Sequence, residues 1–354
     1  MVIQQLLNGL TLGGIYALIA LGYTMIYGIV KLINFAHGDV FMLGAFVGFY
    51  VAVHFSSNFI VVILVAMAFC MLLGLLIERT AYRPLRSPSA SNLIGTVIMV
   101  GVIAAAAFLG RNGMNTLFTS AVFYEGLALI GVVIFLLAKG KIRVKHAGAS
   151  GTSRINALIT AIGMSIVLSN TVAIINGPQR VTFPPVLELG SWNVAGMNIS
   201  GLQLFIITAS LVLMFILYFI VHKTKAGMAM RAVSQNINAA RLMGINPDKV
   251  IGFTFALGSA LAAAAGVLVG VFYTVADPNM GSMYGLKAFV AAVFGGIGSL
   301  PGAMVGGFAL GVAEVFGVAF IAPAFRDAIA FGILILVLII KPTGIFGSNV
   351  KEKV

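Results

Sequence analysis

The chain has 354 residues, of which 60% are hydrophobic and only 8% charged, with a mean hydropathy of +1.10 and a formal net charge of +12. A soluble domain carries roughly 25% charged residues, so the composition excludes one and defines an integral membrane protein. The 21 Lys+Arg against 9 Asp+Glu record orientation in a bilayer rather than contact with nucleic acid, and the single cysteine, Cys70, excludes an intrachain disulfide and a thiolate metal cluster.

The first residues, MVIQQLLNGL, lack a basic leader and run into an apolar stretch too long for a signal h-region, so they read as a retained first helix. Apolar runs predict helices near 5–30, 39–55, 59–77, 91–110, 117–138 and 155–176, then near 201–221, 250–273, 284–297, 303–321 and 327–340. That is an all-α polytopic membrane protein of about eleven spans, because a bilayer offers no water to an open strand edge. The run at 284–297 is short enough to be re-entrant. Placing ERTAYRPLR (78–86) in the cytoplasm puts 17 of the 21 basic residues on that side. The N-terminus then faces out, the C-terminus faces in, and the loop at 222–250 is cytoplasmic. The 177–200 loop faces outward, and its Pro178, Pro184, Pro185 and Trp192 predict an ordered, extended surface.

Several motifs interrupt the apolar pattern. NFAHGDV (34–40) gathers Asn34, His37 and Asp39 around Gly38. Asp39 is placed to cap the second helix, and the segment also has the composition of a broken helix lining a path. VADPNMGS (275–282) has a similar helix-breaking composition. In GSLPGAMVGGFALG (298–311), Gly298, Gly302 and Gly306 recur every four residues, as do Gly307 and Gly311, a pattern for close helix packing. Glu314 and Lys287 fall within spans, where they pair internally or line a pathway; Arg326 and Asp327 sit at a span end, where solvent accounts for them. No phosphate-cradling GxxxxGK[ST], HExxH, CxxC or GxSxG occurs. The chain therefore offers no catalytic residues, no metal site and no ATP site of its own.

The stretch GMAMRAVSQNINAARLMGINPDKV (227–250) is polar and basic. Met230, Val233, Ile237 and Ala240 mark one face and Arg231, Ser234, Gln235, Asn238 and Arg241 the other, which predicts one or two short amphipathic helices. Gly244 supplies a stop, and Asn246 with Pro247 starts the next span.

NAARLMGIN (238–246) resembles the EAA-type coupling loop of ABC-importer permeases, with Asn238 where an acidic residue is usual. LNGLTLGGIYALIALGYTMIYGIVKLINFAHGDVFMLGAF (7–46), AYRPLR (81–86), LITAIGMSIVLSN (158–170), GLKAFVAAVFGGIGSLPGAMVGG (285–307) and KPTGIFG (341–347) all resemble the branched-chain amino-acid ABC permeases. The resemblance implies a type II importer-like permease in a bacterial inner membrane. It also implies a paralogous permease, two cytoplasmic ATPases that hydrolyse the ATP, and an external solute-binding protein as partners, besides membrane lipid. It assigns coupling to Ala239, Ala240 and Gly244, within a loop that also carries Arg231 and Arg241, and leaves Asn34, His37, Asp39 and Glu314 as candidates for the path. Relatives run from YRPLR almost directly into LITAIG, so 87–153 reads as an inserted two-span hairpin within a single permease domain. Related permeases also handle urea and short amides, and a self-sufficient channel or secondary transporter is the competing class.

Overall fold

The computed structural model describes residues 2–83, 150–194 and 197–347. The expected spans at 91–110 and 117–138, and all but the last four residues of the inserted hairpin, lie outside these. Each of the nine spans expected within the described residues is a helix, and eight of these are long and apolar enough to cross a membrane. In chain order they are α1 (Val2–Val30), α2 (His37–His54), α3 (Phe59–Ile77), α4 (Ser150–Asn176) and α5 (Gly201–Lys223). Two short helices follow, α6 (Lys225–Gln235) and α7 (Ile237–Leu242), and then α8 (Pro247–Tyr273), α9 (Met280–Gly295), α10 (Leu300–Phe320) and α11 (Arg326–Ile340). The short span is α9, with 16 residues.

The centre is built from α1 and α8. Of the most apolar window in α8, 89% is buried inside the protein, against 6% in the segment containing α11. Central helices must admit backbones on every side, and glycine provides the clearance. A Cβ on Gly13 of α1 would lie 2.7 Å from Phe308 Cα of α10, and one on Gly9 2.7 Å from Val312 Cα. The two glycine rows of α10 serve different neighbours: Gly307 and Gly311 receive α1, while Gly302 and Gly306 receive α9 at Gly295. Packing of this kind stands in for the hydrophobic effect, which lipid cannot supply between helices.

One face gathers the ends of α1 and α5, the start of α10 and the link α6–α7 around a common cavity. An ion pair between Arg83 and Asp248 (3.4 Å) ties the end of α3 to the start of α8 on that same face. The opposite face carries the expected extended structure. Strand β1 (Val181–Thr182) pairs antiparallel with β4 (Val275–Ala276), and β2 (Ser191–Val194) forms a hairpin with β3 (Met197–Ser200). Phe183, 1% exposed, inserts from this cover over Gly270.

An inverted repeat with an offset of 243 residues underlies the core. It places α1, α2 and α3 on α8, α9 and α10, and because α1 ends on the face where α8 begins, the two halves run in opposite directions. Lys31 and Thr274, 243 apart, are the two non-glycine residues with positive φ among those described, at 56° and 54°. At Asn34 the side-chain oxygen accepts from the N–H of Ala36 (3.1 Å), and at Asp277 the side-chain oxygen accepts from the N–H of Asn279 (2.8 Å). The His37 N–H donates to the Asn34 carbonyl as the Met280 N–H donates to the Asp277 carbonyl. A left-handed conformation costs a residue with a side chain about 1–2 kcal/mol, so its recurrence at both equivalent positions marks a geometry the fold imposes twice.

Candidate translocation site and coupling elbow

After α1 ends on the basic face, residues 31–36 turn back into the protein. The depth of the turn follows from the contacts of His37. Its ring packs on Gly22 of α1 and Gly258 of α8. Gly22 lies eight residues before the end of α1 and Gly258 eleven after the start of α8, or about 12 Å and about 17 Å at 1.5 Å per residue. Helix α2 therefore starts near the middle of a hydrocarbon core of about 30 Å. Its repeat mate α9 starts there from the opposite side, and the two helix starts touch through their backbones. A Cβ on Gly38 would lie 2.9 Å from Gly285 Cα, and one on Gly281 would lie 2.7 Å from the Gly38 carbonyl oxygen.

The polar residues of NFAHGDV are brought together here, in roles the sequence did not distinguish. Asn34, 3% exposed, holds the turn: besides the Ala36 N–H its oxygen accepts the Tyr82 hydroxyl (2.8 Å). Tyr82 arrives from a π-helical extension of α3 (Glu78–Tyr82), a wider turn of the kind that recurs at functional sites. His37 is fully buried, edge-on to Tyr23 at 4.8 Å, and neither ring nitrogen has a hydrogen-bond partner. Asp39 does not cap α2: the N-cap position is Ala36, without a side-chain bond, and Asp39 Oδ1 is unpartnered beside Gly281. The turn is closed one step earlier by Asn34, which leaves the Asp39 carboxyl between α9, where Oδ1 meets Gly281, and Ser165 of α4, with which it hydrogen-bonds. A cavity of about 180 Å³, whose apolar wall is Phe35, Ile162 and Leu286 and whose hydroxyls are those of Tyr23, Ser165 and Ser282, adjoins this point. A buried polar group without a partner costs about 1–3 kcal/mol, so two at one helix junction mark a place kept for something other than stability.

Glu314 is elsewhere. Fully buried, it lies 3.0 Å from Lys287 Nζ and 2.8 Å from Arg326 Nε, and it accepts the Tyr16 hydroxyl at 2.9 Å. Lys287 also pairs with Asp327 (2.7 Å). Arg326 and Asp327 are thus not simply a solvated helix end: they fold back over α9 and α10 and complete a four-charge network. Removing Glu314 would leave the buried Lys287 ammonium with only the half-exposed Asp327 as partner, and breaking a buried pair costs about 3–5 kcal/mol, which gives Glu314 a structural task.

The loop at 222–249 is an elbow of two helices. Thr224 caps α6 by accepting the Gly227 N–H (3.1 Å), and Asn236 breaks the line and caps α7, accepting the N–H groups of Asn238 and Ala239 (both 3.0 Å). Gly244, at φ 80°, stops α7; Asn246 caps α8 with Pro247 in its first turn. Arg231 donates to the Val221 carbonyl and so fastens the elbow to the end of α5. Because the axis changes at Asn236, the apolar face predicted across it is not continuous. Met230, Val233 and Ala240 turn inward, 3%, 1% and 4% exposed, whereas Ile237 is 37% exposed. Ala239, Arg241 and Gly244 are exposed. The side chains that project are Leu242 and Met243, 88% and 81% exposed. Sequence reasoning passed over both, although two large apolar residues ahead of a helix-stopping glycine are a readable signal.

A helical membrane core with an inverted repeat, two helix starts meeting at mid-depth and a projecting elbow defines a transport permease. The sequence profile described as "Branched-chain amino acid transport system / permease component" matches residues 5–338, and the chain belongs to that family. It is 37% identical to the high-affinity branched-chain amino acid transport system permease protein LivH of Salmonella typhimurium, over 99% of this chain and 97% of the relative. It is likewise 37% identical to the permease protein BraD of Pseudomonas aeruginosa, over 99% and 98%. A more distant relative is the ribose import permease protein RbsC of Escherichia coli, 26% identical over 61% of this chain and 66% of the relative. No solved structure matches. The protein is a membrane permease of the ABC-importer type.

Proposed function

We propose that this permease imports branched-chain or other hydrophobic amino acids across a bacterial inner membrane. The observation that carries the reading is the junction of α2 and α9, where the His37 ring nitrogens and Asp39 Oδ1 are buried without hydrogen-bond partners, beside a mid-depth cavity with apolar walls and two serines, Ser165 and Ser282. Half-helix starts in this position are where transporters hold a charged group next to an apolar body, and an aliphatic amino acid has both. The names of the LivH and BraD relatives support that substrate class, while the ribose permease relative argues that the fold alone does not choose it. ATP is hydrolysed by two partner subunits that receive the elbow, a paralogous permease completes the pathway, and an external binding protein delivers the substrate. The N-terminus and the β2–β3 hairpin face outward, and the basic face is cytoplasmic.

Thiol labelling and uptake in the same cells test this reading. With Cys70 replaced by Ala, Ser191→Cys should react with an impermeant reagent in intact cells and Met243→Cys only after permeabilisation, and deleting the chain should remove energy-dependent leucine uptake. The reverse labelling, or unchanged uptake, would contradict it.

A further inference from the structure

We propose that the cavity between the ends of α1 and α5 and the start of α10 is a binding site for the phosphate headgroup of an anionic phospholipid from the leaflet on the basic face. The cavity measures about 440 Å³. Its polar part is basic: Lys31 and Arg231 line it, with His222, Ser234 and the N-cap of α10, Ser299, as polar neighbours, and no acidic residue does. Arg231 spends one N–H on the Val221 carbonyl, and the guanidinium retains its other donors. The left-handed backbone at Lys31 sets the end of α1, and its ammonium lies 5.8 Å over the Tyr27 ring. Deeper in, Thr24 lines the same cavity, 1% exposed, and its hydroxyl has no hydrogen-bond partner. An unmatched buried hydroxyl, two basic side chains and a 21-residue helix start on the wall of one cavity suit a phosphate oxygen.

The remaining wall says which anion. Met25, Ile29, Met230, Leu300 and Phe346 are apolar, and a hydrophilic anion would leave them facing water. A phospholipid covers them with its glycerol and upper acyl chain. The position also suits lipid. The end of α5 lines the cavity at Val221 and His222, and earlier on the same helix Phe215 and Phe219 are 69% and 54% exposed, which places the cavity beside a bilayer-facing helix. Basic pockets between spans on the cytoplasmic side hold anionic headgroups in this way. Since Arg231 belongs to the elbow and Lys31 to α1, an occupied site bridges the core and the coupling helices.

The test uses the full chain purified in neutral detergent and native mass spectrometry with phosphatidylglycerol. Wild type should retain one phosphatidylglycerol per chain in preference to phosphatidylcholine. Lys31→Asn removes the charge with a residue that tolerates positive φ, and it should weaken retention roughly fivefold, the effect of about 1 kcal/mol per basic residue. Lys225→Gln, on α6 but outside the cavity, should leave retention unchanged. Thr24→Val, isosteric within the buried floor, should weaken it as well. Equal retention of phosphatidylcholine, or full retention by Lys31→Asn, would overturn the site. Displacement of the lipid by millimolar inorganic phosphate would show a free-anion site and overturn the assignment to lipid.

Discussion

Gly38→Val should abolish amino-acid uptake with little loss of permease from the membrane. A Cβ at position 38 would already lie 2.9 Å from Gly285 Cα, and both neighbours are backbone, so only separation of α2 from α9 makes room. Overpacking of this kind costs about 1–3 kcal/mol, which the nine packed spans can absorb while the helix junction cannot. Gly38→Ala should fall between valine and wild type. Gly332 on α11, with nothing within 4 Å of where its Cβ would stand, provides the control, and Gly332→Val should transport normally. Immunoblotting of membranes beside radiolabelled leucine uptake reads both quantities. Normal uptake by Gly38→Val would mean that close contact of the helix starts is not required for transport.

The second large effect concerns the elbow. Leu242 and Met243 stand 88% and 81% exposed on a basic surface, the arrangement of anchors that enter a partner's groove. Truncating such anchors costs about 2–4 kcal/mol in a typical interface, so Leu242→Asp with Met243→Asp should release the ATPase subunits on purification and stop uptake, with the permease itself stable. Ala240→Glu should behave differently. Ala240 is only 4% exposed, turned into the protein, and a carboxylate there would be buried without a partner, so the permease itself should be lost from the membrane. Retention of the ATPases by the double aspartate variant would remove these two residues from the coupling contact.

Much of this architecture was readable from local chemistry. The helix start at Asn246–Pro247, the stop at Gly244 and the extended character of the 177–200 loop depend on a few adjacent residues, and the structure has all three. What escaped depends on distance. The partners of Glu314 come from α1, α9 and α11, and no window of sequence joins Tyr16 to Lys287 and Arg326. Ile237 left the buried face that Met230, Val233 and Ala240 share because a helical periodicity was carried across Asn236, where the chain changes axis, and Ala240, given to coupling by resemblance, is turned into the protein. NFAHGDV was readable as a helix cap or as a broken helix on a path, and what chose between them, the contacts of His37 with Gly22 and Gly258, comes from other helices. The repeat went unread, although the sequence carries it. LGAFV at 43–47 and LKAFV at 286–290 are 243 apart, as are Gly38 and Gly281, and Asn34 and Asp277. Comparison of NFAHGDV with VADPNMGS through that offset places the two helix starts opposite each other before any coordinates.

The central claim is that this chain is the path and not the motor. Reconstituting it into sealed vesicles, alone and then with the proposed partners, a paralogous permease, two ATPase subunits and an external binding protein, with internal ATP, tests that claim most directly through accumulation of radiolabelled leucine. The chain alone should accumulate nothing under an imposed proton or sodium gradient, and the complete assembly should accumulate leucine only while ATP lasts. Gradient-driven accumulation by the chain alone would contradict the account and make it a self-sufficient secondary transporter.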